Sequence, residues 1–124
     1  MVKRAHKKLD VWSESIALAT HIYQITEKFP KAEIYGLTSQ MRRAAVSIPS
    51  NIAEGAARAS SKEFNQFLYI AGGSLSELDT QIEIAHKLLF LTDEQEQEIN
   101  IKIESISKKL AGLINHVKRK VAER

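Results

Sequence analysis

Glu83 and His86, in the segment "EIAH", are the two residues whose types and spacing come nearest to a catalytic or metal-binding pattern. A carboxylate and an imidazole three residues apart share one face of a helix, the arrangement by which bundle helices supply ligands to a di-iron centre. Such a centre needs a second copy of the motif and two further inward glutamates. No second copy exists, and His6, His21 and His116 stand near helix ends or lack a carboxylate at that spacing. The pair therefore reads as a surface contact, and no metal is expected. "AGGSL" at residues 71–75 lacks the lysine and the preceding strand of a phosphate-binding loop. The absence of cysteine removes thiolate chemistry and disulfides. With no nucleophile–base pairing either, neither an enzymatic activity nor a cofactor is expected.

Charge carries more information. Lys3, Arg4, Lys7 and Lys8 place +4 on residues 1–9, and Lys118, Arg119, Lys120 and Arg124, less Glu123, place +3 on residues 113–124. The net charge is +3, so the intervening body carries −4. Arg42, Arg43, Arg58 and Lys62 form a third basic group around the second helical segment. Clustered lysine and arginine suit phosphate, because neutralising a nucleic-acid backbone releases condensed counterions. Stacking of unpaired bases is not anticipated, since aromatic residues do not interleave with the basic ones along the chain.

The elements that must position these groups are helical. Residues 1–124 read as a single four-helix-bundle domain with basic ends. Helix one is expected from Asp10, as N-cap, to about Lys28, with Trp12, Ala19, Ile22, Tyr23 and Thr26 on one face. Helix two is expected from Leu37 or Thr38 to Ala57, with Met41, Ala45, Ile48, Ile52 and Ala56 as its buried stripe. Ser60 with Glu63, and Thr92 with Gln95, fit capping boxes that open helices three and four. Phe64, Phe67, Ala71 and Leu75, with Leu68 beside them, then Leu78, Ile82, Ala85 and Leu89, and in helix four Ile99, Ile103, Ile106, Leu110, Leu113, Val117 and Val121, continue the three-four alternation. In such an antiparallel chain both termini reach the same end of the bundle, so the two terminal basic clusters are expected to merge there. No run of apolar residues is long enough for a membrane span, and no signal-peptide core follows the basic start, so the expected location is the cytoplasm.

Three features complicate that bundle. Pro49 lies inside helix two, where it removes one backbone hydrogen bond and crowds the carbonyl of Ala45, so a kink or break is expected, with Ser47, Ser50 and Asn51 bonding the freed groups. Gly72 and Gly73 interrupt helix three, which usually signals a close backbone approach by another helix, in the same chain or in a second copy. Tyr69, Ile70, Ile84, Leu88, Ile101 and Ile114 lie off the main stripe and fit either a wide core or a subunit interface.

"YGLTSQMRRAAVSIPSNIAEG" followed by "EFNQFLYIAGGSLSELDTQ" closely resembles the four-helix-bundle proteins encoded by intervening sequences within bacterial 23S ribosomal RNA genes, the S23-like type. The likeness spans residues 9–90, with helix four similar mainly in pattern. It implies a homopentameric ring and a nucleic-acid-binding role, and the accessory proteins of diversity-generating retroelements look similar. It brings no catalytic residue. The expected function is that of a non-catalytic oligomer binding structured RNA, or else DNA, through Lys3, Arg4, Lys7, Lys8, Arg42, Arg43, Arg58, Lys62, Lys118, Arg119 and Lys120. The competing expectation is a protein-interaction or structural oligomer whose basic ends hold no nucleic acid.

Overall fold

The computed structural model describes residues 4–122. A short 3-10 turn, Ala5–Lys8, precedes four α-helices: α1 (Asp10–Thr26), α2 (Leu37–Ala56), α3 (Ser61–Lys87) and α4 (Asp93–Ala122). A second 3-10 turn, Lys31–Glu33, follows Pro30 between α1 and α2. There is no strand among the described residues. Each helix packs on its neighbours in chain order and α4 closes back onto α1, the up-and-down topology expected of short connections.

Leu18 and Ile22 of α1, Met41, Ile48 and Ile52 of α2, Leu68, Leu78 and Ile82 of α3, and Ile99 and Ile106 of α4 are sealed from solvent in one cluster. Ala19, Ile22 and Thr26 of the expected α1 stripe are buried, with Val11, Ser15, Leu18 and Ile25 beside them, while Trp12 packs at the margin and Tyr23 is exposed. Ser15 enters the core because its hydroxyl donates to the Val11 carbonyl one turn back (2.6 Å), so the burial leaves no donor unpaired.

Termini explain where the helices stop. Asp10 is the first helical residue rather than the N-cap, a position taken by Leu9 with no side-chain cap. The Glu33 carboxylate accepts the Leu37 amide (3.1 Å) and so caps α2. Thr92 and Gln95 form the full reciprocal box, each side chain accepting the other's backbone N–H at 3.1 and 2.9 Å. Ser60 accepts the Glu63 amide (3.1 Å), but the Glu63 carboxylate takes the Ser60 hydroxyl (3.4 Å) instead of the backbone, so this box is half made.

α2 runs as one element across Pro49, so of the two expected outcomes, a kink or a break, the break does not occur. Asn51 Nδ2 donates to the Ser47 carbonyl (2.8 Å) and hydroxyl (2.9 Å), and that hydroxyl bonds Ser74 of α3 (2.8 Å). The polar residues around the proline thus fasten α2 to α3. The close helix approach lies at Gly55, where an added Cβ would stand 2.7 Å from Phe67 Cβ and 3.1 Å from the Phe64 carbonyl. At Gly72 a Cβ would meet only Leu110, at an ordinary 3.7 Å, and at Gly73 nothing within 4 Å. The glycine pair therefore marks no close approach by another helix among the described residues.

Helix lengths place the ends. α1 has 17 residues and α4 has 30. Lys109 pairs with Asp10 and Glu14 at the start of α1, so the stretch from Lys109 to Ala122 runs about 20 Å past that start at 1.5 Å per residue. This overhang lies against the beginning of α3, where Val117 is buried.

Candidate nucleic-acid interface

The expected basic residues fall into three groups in space. Arg4, Lys7 and Lys8 are exposed on and beside the first 3-10 turn, which packs on α1 and α2 and is fixed by the edge-on contact of His6 with Trp12 (4.9 Å between centroids). Lys3 lies outside the described residues. Lys62 at the start of α3 and Lys118, Arg119 and Lys120 near the end of α4 are exposed on the other side of the same end. The terminal clusters therefore share an end, with the N-terminal one seated on α1 and α2 and the C-terminal one on the α4 overhang. Arg58 sits between them at the α2–α3 turn, its guanidinium 4.7 Å above the Phe67 ring and 3.4 Å from Glu54.

Arg42 and Arg43 are elsewhere, about 20 Å along α2 toward the opposite end by helix rise. Arg42 is committed within the chain. Its Nε donates to Thr26 Oγ1 (2.9 Å), its Nη2 to the Tyr23 carbonyl (3.3 Å), and its plane lies over the Tyr23 ring. These contacts bring a cation to the last turn of α1, where unpaired carbonyls concentrate negative potential. Arg43 is exposed beside it, at a shallow depression shared with Ser39 and Ile34.

At the α3–α4 corner of that opposite end carboxylates cluster. Asp93, Glu94 and Glu96 occupy the first turn of α4, and His86 in the last turn of α3 lies between two of them. Its Nε2 is 2.6 Å from Asp93 Oδ1 and its Nδ1 is 3.3 Å from Glu96 Oε2. With a carboxylate at each ring nitrogen the imidazolium satisfies both, and the hydrogen bond it donates to Asp93 chiefly holds the His86 pKa above its usual 6.5. The carboxylates flank the ring and converge on no common point, and among the described residues no three such side chains form a metal-binding group.

α1 and α4 meet through polar side chains. Lys109 pairs with Glu14, and its hydrogen bond, followed by that of Ser105, holds the Glu14 carboxyl below its usual range. Lys102 Nζ lies 3.0 Å from His21 Nδ1, and burial, then that ammonium, pushes the His21 pKa down.

Two grooves open beside the cations. One of about 550 Å³ runs between α1 and α2, lined by His6, Trp12, Ile16, Tyr23, Val46 and Pro49. A smaller one of about 340 Å³, between the start of α3 and the α4 overhang, is walled by Lys62, Asn65, Gln66, Tyr69, Lys118 and Val121. Sequence reading set Tyr69 aside as an off-stripe apolar residue and missed Asn65. The available signal was the four-three spacing of Lys62, Gln66 and Tyr69 on α3, which means little until the overhang brings Lys118 over the Tyr69 ring (5.4 Å). Of the other off-stripe residues, Ile114 packs on the core, whereas Ile70, Ile84, Leu88 and Ile101 are exposed, Ile101 by 70%. Among the described residues no helix is long and apolar enough to cross a membrane.

Four helices in up-and-down order, with no strand among the described residues, define an all-helical four-helix-bundle protein. Within that class the chain belongs to the 23S rRNA-intervening sequence protein family, whose model matches residues 7–112. It is similar to the crystal structure of a protein of unknown function from the S23 ribosomal protein family of Bacteroides thetaiotaomicron VPI-5482, at 26% identity and a TM-score of 0.76, covering 84% of this chain and 97% of that one. No curated protein matches the chain. Lys118 and Val121, by which the overhang walls the smaller groove, lie beyond the family match, which ends at Gly112.

Proposed function

We propose that this protein is a non-catalytic, self-associating helical bundle of the cytoplasm that binds nucleic acid, structured RNA before DNA, through its basic end. The observation that carries the reading is the gathering of Arg4, Lys7, Lys8, Arg58, Lys62, Lys118, Arg119 and Lys120 toward one end, away from the cluster of Asp93, Glu94 and Glu96. Cations grouped in this way raise the local potential that a polyanion meets. Self-association, in rings of five if the resemblance extends so far, is supported by the exposed isoleucines and by Gly73, which has open space where a neighbouring copy could approach.

The test is binding of nuclease-treated protein to labelled structured RNA and to duplex DNA across a salt series, with light scattering on the same sample. Micromolar binding that weakens steeply with salt, by an oligomer, is expected. Absence of binding at low salt would overturn the nucleic-acid reading and favour a scaffold for a protein partner, to which the exposed apolar residues are equally suited. A monomer would overturn self-association.

A further inference from the structure

We infer that the groove between the start of α3 and the α4 overhang receives one unstacked nucleotide of single-stranded RNA, with the base on Tyr69 and the adjoining phosphate between Lys62 and Lys118. The inference rests on the nucleic-acid reading and assigns it a place. Lys62, Gln66 and Tyr69 occupy one face of α3 at steps of four and three, and Lys118 and Val121 face them from α4. The wall is apolar where lysine stems, Val121 and the tyrosine ring form it and cationic at its rim, the division of surface that a base and its phosphate present. Among the described residues no carboxylate lines it. At about 340 Å³ the groove is at the small end of ligand clefts, which span about 300–1,000 Å³.

Two observations point to a ligand rather than to solvated lysines. Tyr69 is 52% exposed at the wall of a cationic groove, with the Lys118 ammonium set against its ring, and an aromatic face of that kind stacks any base. Asn65 is 92% buried, lines the groove, and its Oδ1 meets no donor. Buried amides are ordinarily paired; the terminal torsion of asparagine is soft, and rotation about it on binding would offer the amide to the edge of a base, whose donors and acceptors it matches. A base can lie on a side-chain ring only when it is out of its own helix, hence the preference for single strands over duplex.

The test uses the full chain with a labelled ten-nucleotide oligouridylate and an RNA duplex of the same length, by fluorescence anisotropy over a salt series. Tyr69→Leu is expected to weaken oligouridylate binding about tenfold and to leave the duplex unaffected, while Tyr69→Phe retains binding. Lys62→Gln and Lys118→Gln should each reduce the log–log salt slope by about 0.7. Tyr69→Leu binding like the wild type, or both lysine variants keeping the full slope, overturns the groove while leaving RNA binding intact; failure of the wild type to bind either RNA overturns both. Thermal melts check folding, and if Tyr69→Leu is destabilised the exposed lysine variants and the Tyr69→Phe comparison decide.

Discussion

Arg42 lies across the ring of Tyr23, 4.6 Å from its centroid, and donates to the carbonyl of the same residue. Side chain and backbone of Tyr23 thus hold one guanidinium between them, and the Nε bond to the buried Thr26 completes the clasp between α1 and α2. A cation so engaged, with only 23% of its side chain exposed, has few donors left for a phosphate. Arg42→Ala is expected to cost about 2 kcal/mol of stability, in the range of charge-assisted hydrogen bonds, and to leave the salt dependence of RNA binding unchanged. Chemical denaturation and the salt series check the two halves of this prediction separately.

The α3–α4 connection offers a stabilising change. Leu89 has φ +65° and is 87% exposed. Its amide bonds the His86 carbonyl (3.0 Å) and the Phe90 amide bonds that of Ala85 (2.9 Å), the two bonds of a Schellman motif with leucine in the left-handed position that glycine usually fills. The side chain buries nothing in return. Leu89→Gly should therefore raise stability by about 1 kcal/mol, the strain a β-carbon suffers in that conformation, read as a higher denaturant midpoint with an unchanged m-value.

Gly55 and Gly73 should respond oppositely to alanine. At Gly55 the new methyl would collide with Phe67 and the Phe64 backbone, forcing α2 and α3 apart at a cost of about 1–3 kcal/mol. At Gly73 it would enter open space, so the protomer should gain up to about 1 kcal/mol from the better helix former. If a second copy packs there, Gly73→Ala should also weaken assembly while the helices stay folded. Sedimentation of the two variants beside their melting curves distinguishes a fold defect from an assembly defect.

These glycines mark the boundary of what could be read from sequence. Number, order and approximate extent of the helices followed from apolar spacing and from the Thr92 and Ser60 caps, because those signals are local. Which glycine marks a close approach, which face α1 turns inward and which arginine is spent on the fold depend on the packing angle and register between helices. No single segment encodes those. Met41, Ile48 and Ile52 were legible as core because their stripe has one clear direction; Trp12 and Tyr23 were misassigned because the α1 stripe has large apolar residues on both flanks. The basic residues were visible by type, but their grouping was not: Lys62 and Lys118 are 56 positions apart and meet only because α4 outruns α1.

His86 gives the bundle a pH dependence whose sign is fixed by its neighbours. Asp93 and Glu96 contact the two ring nitrogens from α4, and Glu83 adds its charge from the preceding turn of α3. The folded pKa is thereby raised above the 6.5 of an unperturbed histidine. A group raised on folding binds more protons in the native state, so its contribution is fully present below the unfolded pKa and is lost as pH rises through the folded one. His86→Gln should be less stable than the wild type at about pH 5, and the difference should shrink to near zero by about pH 9. His21 acts in the opposite sense: its lowered pKa favours the native state above 6.5 and weakens it as pH falls, which is why the wild type alone would show a shallow profile. Subtracting the His86→Gln melting curve from the wild-type one at each pH isolates the tie between α3 and α4. A difference that stayed constant across that range would mean the ring packs as a neutral group and that its contacts with Asp93 and Glu96 are not ionic.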